Sequence, residues 1–164
     1  QRKRLQTEEG LSAGADIMEK DRVATGADGF ADLTLEGDTR ILLGNRTELL
    51  IDSFIASQGG TMELGMGQMV FDRPEGLPKI DLAVRTAFGM IGVRGTRFFC
   101  GPTRGVFGVF VEHGQVAVEG AGVTELVGPG EGVEIARPGE APNKPVKWKE
   151  ARIAEAYASV GLKR

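Results

Sequence analysis

At 164 residues the chain amounts to one domain, long enough to bury a sizeable core. Its 20 basic and 23 acidic residues, net charge of −3 and pI near 5.3 argue against a phosphate-tracking surface, and no nucleic-acid partner is expected. The 25 glycines follow no collagen period and sit between short apolar runs, which implies many turns joining short strands. No apolar run approaches the length that spans a bilayer.

Residues 1–21 are polar apart from Leu5, Leu11, Ile17 and Met18 and read as a loosely attached arm. The chain opens on Gln1-Arg2-Lys3-Arg4 without an initiating Met, so a signal peptide or anchor is expected ahead of Gln1. From Val23 the texture changes. In "GFADLTLEGDTRILLGNRTELLIDSF" Ala31, Leu33 and Leu35 share one parity, with Asp32 and Thr34 on the other. Glu36-Gly37-Asp38 and Gly44-Asn45 are turns, and Leu49 and Ile51 continue the alternation. Met62, Leu64 and Met66 fall on one parity ahead of Met69. The three methionines read as core filling rather than a thioether metal site, since no Cys or His lies beside them. Residues 72–78, with two prolines, form a loop.

"KIDLAVRTAFGMIGVRGTRFFCG" runs through one or two strands with a break near Phe88-Gly89. Phe107, Val109 and Val111 then line one face, His113-Gly114 reads as a two-residue hairpin turn, and Val116 and Val118 form the returning strand. Val133 and Ile135 close the β region. The divisions are thus an arm over 1–21, a β domain over 22–136, a linker over 137–145 with three prolines, and an amphipathic helix over 146–161. On that helix Trp148, Ala151, Ala154 and Ala158 share a stripe, with Ile153, Tyr157 and Val160 beside it.

"MIGVRGTRFF" poses a physical question. Strict alternation would turn Arg94 and Arg97 to opposite faces and aim one at the core. A one-residue bulge at Gly95 removes the conflict: Ile91 and Val93 point inward before it, Thr96, Phe98 and Cys100 after it, and both arginines point away. The arginines then pair with carboxylates, for which Asp72, Asp81 and Glu112 are candidates.

"VRGTRFF" resembles the Gly-Thr-Arg-Phe signature of FecR-type domains, the periplasmic portions of iron-citrate sensors and of many exported proteins. "DRVATGADGFADLTLEGDTRILLGNRTELLI", "FVEHGQVAVEG" and "VGPGEGVEI" resemble the family's other blocks in the expected order, over roughly Leu11 to Ala136. The resemblance implies a mainly β fold, an antiparallel FecR-like β-solenoid or roll with a C-terminal helix, against which a two-sheet β-sandwich is the alternative. It also implies a periplasmic or secreted location and a signature, Arg94, Gly95, Thr96, Arg97 and Phe98, that is structural or contacts a partner. In the sensor proteins an inner-membrane helix leads to a cytoplasmic segment controlling a sigma factor, and neither is visible in this sequence.

Chemistry is not expected. His113 is the one histidine and Cys100 the one cysteine, so no catalytic residue, metal site or cofactor is assigned. Asp28, Asp32 and Asp38 lack EF-hand spacing. The leading expectation is a non-enzymatic sensory or interaction module with an envelope protein as partner. A glycan- or cell-wall-binding module is the alternative, with Trp148 and Tyr157 as its exposed aromatic contacts.

Overall fold

Alternating apolar residues settle most of this chain into strands, and glycine-rich turns join them. The computed structural model describes residues 2–4, 7–9, 21–35, 39–55, 58–74, 76–77 and 79–162. The strands are β1 (Arg2–Arg4), β2 (Thr7–Glu9), β3 (Asp21–Ala24), β4 (Ala31–Leu35), β5 (Thr39–Leu43), β6 (Glu48–Ile55) and β7 (Gly59–Met66). They continue with β8 (Met69–Asp72), β9 (Asp81–Thr86), β10 (Met90–Thr103), β11 (Val106–Gly120), β12 (Val123–Val127), β13 (Glu131–Ile135) and β14 (Val146–Lys147); one helix, α1 (Glu150–Ala158), follows. Of the arm expected over 1–21, β1 and β2 extend the sheet from β3, and most of the rest lies outside the described residues, as does the turn expected at 36–38.

All the strands belong to one 14-stranded sheet, antiparallel except where β7 meets β9. Its spine is the long β10–β11 hairpin. Residues Met90–Arg94 of β10 pair with β9, whereas Arg97–Cys100 pair with β8. Along β11, Phe107–Phe110 pair with β13 and Val116–Gly120 with β12. The sheet therefore parts into two wings at the middle of the hairpin. Inward side chains of both wings meet in a single core: Leu43, Phe71, Phe98 and Val109 from one, Leu49, Met62, Val84 and Val118 from the other. This curled, mainly β sheet with a C-terminal helix is the roll that the sequence predicts.

The register contains the bulge. β10 carries one residue more than β11 between Arg94 and Arg97, and β11 carries one more between Val111 and His113, so the original register returns at Phe98. Ile91, Val93, Thr96, Phe98 and Cys100 are all buried.

Two expectations fail here. His113-Gly114 is not a hairpin turn: β11 runs unbroken through it, with Gly114 at φ +86, where glycine has no Cβ to strain. The reversals lie at Arg104-Gly105 and Ala121-Gly122 instead. Met66 is not core. Glu48 pairs with Met66 but Leu49 with Leu64, so the extra residue, Gly65, flips Met66 to the solvent side, while Met62 and Met69 stay buried.

A second, smaller core lies on the outer face of the first wing. Leu42, Val70, Phe99 and Phe110 stand in one row across β5, β8, β10 and β11, covered by Trp148, Ile153, Ala156, Tyr157 and Val160. The helix is shorter than the span 146–161 suggested by periodicity, because Val146–Lys147 pair with β13 as β14. Its docking stripe is Ile153, Ala156 and Tyr157. Ala151 and Ala158 are exposed, and Trp148 precedes the helix start.

Candidate functional site: the arginine signature and the helix above it

Four residues of the signature, Arg94, Thr96, Arg97 and Phe98, make defined contacts. Thr96 turns inward at the bulge, where its Oγ1 donates to the His113 carbonyl and its own carbonyl accepts from the Arg73 N–H at 3.1 Å. Phe98 packs in the core with its ring centre 5.9 Å from that of Phe71. Arg94 reaches Asp81 at 3.7 Å on the exposed surface. Arg97 is the better anchored: its Nη1 donates to Asp72 Oδ2 at 3.3 Å, and its Nε lies 3.3 Å from Glu112 Oε2. The three carboxylates that the sequence offers as partners are the ones used. One guanidinium thus ties β10 to β8 on one side and to β11 on the other, beside the bulge that creates its orientation.

The same guanidinium lies 5.6 Å from the centre of the Tyr157 ring, so the signature also supports α1. Burial pushes the Tyr157 hydroxyl well above its ordinary range, and the negative charge of Glu112 adds to this while Arg97 opposes it. The Cys100 thiol, sealed in the core, is likewise pushed up by burial and stays protonated. Cys100 pairs with Val109 and His113 with Arg97, so the two are not brought together.

The helix is seated by aromatic packing. Trp148 stacks on Phe110 with ring centres 5.3 Å apart, and Tyr157 meets Phe110 edge-on at 6.3 Å. The indole lies over Gly108 and Gly132, where a Cβ would collide with it. Arg152 covers its other side, 4.0 Å from the ring centre, while pairing with Glu134. At the far end Gln68 Nε2 donates to the Ser159 carbonyl at 3.0 Å. Trp148 and Tyr157 are 7% and 1% exposed. The aromatic platform expected for glycan binding is therefore not presented: these rings face inward, where the first wing's apolar row needs covering. Sequence reasoning missed the Arg152–Trp148 pair, because Trp148 stands outside α1 and no helical spacing relates the two.

The outer face of the second wing has no helix over it among the described residues. It carries a concavity of about 260 Å³ lined by Asp81, Gly92, Arg94, Gln115, Ala117 and Leu126. No group of three or more His, Cys, Asp or Glu among the described residues is arranged to hold a metal. No helix there is long and apolar enough to cross a membrane.

Fold and site together define a mainly β roll domain in which Arg97 ties β10 to β8 and β11 beneath the C-terminal helix. The family model described as FecR protein matches residues 21–117, and the chain belongs to the FecR family. Two crystal structures of a putative anti-sigma factor from Parabacteroides distasonis are similar to it in fold. One, at 21% identity and a TM-score of 0.61, is matched over 82% of this chain and 62% of its own; the other, at 20% and 0.62, over 84% and 63%. The chain thus spans less than two thirds of the length of those structures. No curated protein matches it by sequence.

Proposed function

We propose that this FecR domain is a non-enzymatic signalling module of the bacterial envelope, located in the periplasm, that acts by contact with a protein partner and so adjusts the activity of a sigma factor. The observation that carries the reading is the family match over residues 21–117. The fold-level likeness to an anti-sigma factor supports it. The site chemistry agrees: the signature side chains are engaged in ion pairs and packing, and the thiol is buried. Arg94, on the exposed rim of the second wing, is the signature residue best placed to touch a partner.

The test is genetic and biochemical. Deleting residues 21–136 from the chromosomal copy should change transcription of the genes that an extracytoplasmic sigma factor controls. Osmotic-shock fractionation should release the domain, or expose it to added protease, on the periplasmic side. An unchanged transcript profile sinks the regulatory role, and protease protection outside the cytoplasm's breakage sinks the location.

A further inference from the structure

We propose that the free edge of β12 is a strand-addition site, which takes an extended segment of a partner protein bearing a large apolar side chain opposite Leu126. The proposal rests on the reading that the domain works through a protein partner, and it names the surface.

β12 joins β11 through the two-residue loop Ala121-Gly122, with φ +51 and +78. Residues flanking such a loop exchange both hydrogen bonds, and the pairs alternate from there. Gly120–Val123, Val118–Glu125 and Val116–Val127 therefore close the ladder. The N–H and C=O groups of Thr124 and Leu126 point the other way. No described strand lies on that side, and these groups have no backbone partner among the described residues.

Proteins blunt open edges with charge, proline, bulges or brevity. The neighbouring edges follow this rule: β14 is two residues long and follows Pro145, and β4 carries the Asp32–Arg40 ion pair. β12 has five residues, Val123 to Val127, with no lysine, proline or bulge. Its one charge, Glu125, is drawn to Lys144 at 3.4 Å on the face away from Leu126.

The chemistry of the occupant follows. Only an extended backbone supplies a donor and an acceptor at alternate residues along such an edge. Its outward side chains lie beside Thr124 and Leu126. Leu126 is 59% exposed and walls the concavity whose floor is Gly92 and Ala117, and the charges there, Asp81 and Arg94, already pair with each other. An uncharged, large side chain fits that surface and covers Leu126.

Linear peptides displayed on phage, selected on the immobilised domain and then synthesised, are the probe. Selected peptides should alternate apolar residues. Their affinity should fall by about tenfold or more when Leu126 becomes Pro, because proline deletes the outward N–H while leaving the β11 ladder intact. Thr124→Pro is the second variant, should Leu126→Pro fail to fold. Methylating alternate peptide nitrogens on one register should abolish binding to the unaltered domain, and on the other register should leave it. Peptides indifferent to both prolines and to methylation, or no peptide at all, overturn the site. A dimer weakened by Leu126→Pro assigns the edge to a second copy and overturns the choice of occupant. Strand binding without any effect on sigma-factor transcription keeps the edge and removes the regulatory role. A transcriptional effect undiminished by either proline does the reverse.

Discussion

Arg97, at the centre of the signature, and Tyr157, on the C-terminal helix, face each other with the guanidinium 5.6 Å from the ring centre, sixty residues apart in the chain. The signature of the β domain is therefore also the seat of the helix. Arg97→Leu should destabilise the domain by about 2–3 kcal/mol, because it removes the one guanidinium that the partly buried Asp72 and Glu112 share. Arg97→Lys should fall between, since a point charge cannot serve both carboxylates as the fork does. Arg94→Ala, which breaks only an exposed pair, should shift stability by less than about 1 kcal/mol. Urea melts of the three variants measure this order.

The glycine floor under the indole gives a second test. Gly132→Ala puts a methyl group where Trp148 lies. Overpacking of this kind typically costs about 1–3 kcal/mol. Trp148 is the one tryptophan of the chain, so its emission reads the site directly. It should move to longer wavelength in the variant as the ring is lifted toward water, while far-UV circular dichroism of the sheet remains.

Stability should fall as the pH is raised. Burial holds the folded-state pKa of Cys100 above its ordinary value of 9.0. The folded chain keeps the proton that the unfolded chain releases, so this contribution is complete below the ordinary value and is lost above it. The slope is at most about 1.4 kcal/mol per pH unit for one group. Tyr157 adds a similar loss above its ordinary 10.0. Cys100→Ala should flatten the decline that begins near 9.0 and leave the tyrosine part. A thiol reagent should react with the native domain only as fast as it unfolds.

On the acid side, Glu155 provides a contrast. Its side-chain hydrogen bonds with Arg104, both at 3.0 Å, hold its carboxyl below the ordinary range. That contribution is present above the ordinary value of 4.5 and disappears as the pH falls through the lowered one. Both side chains lie exposed at the surface, so Glu155→Gln should lower the melting temperature slightly at neutral pH and low salt. The difference should vanish in high salt and in acid.

Much of this was legible in the sequence because it rested on parity. The conflict between Arg94 and Arg97 has one cheap resolution, a bulge at glycine, and that resolution fixes which carboxylates lie within reach. The same reasoning applied to Met66 would have required noticing that Gly65 plays the part of Gly95. His113-Gly114 misled because a glycine with positive φ inside a long strand and one in a hairpin turn look alike in one dimension. The helix boundary was blurred by Trp148, which continues the apolar period of α1 while standing outside it. The β12 edge was invisible for a different reason: which backbone groups remain open depends on the register of pairing, and side-chain type does not report it.

The change of neighbours along β10 bears on how the chain is made. β4, β5 and β8 form one ribbon and β3, β6, β7 and β9 another, and among the described residues strand pairing joins the two only through β10. A ribosome must therefore deliver about three fifths of the polypeptide, through Thr103, before the earlier ribbons acquire a common scaffold. Until then their greasy sides are available to holdase chaperones, and a translation arrest or frameshift before residue 90 should yield fragments that are cleared by proteolysis rather than partly folded domains.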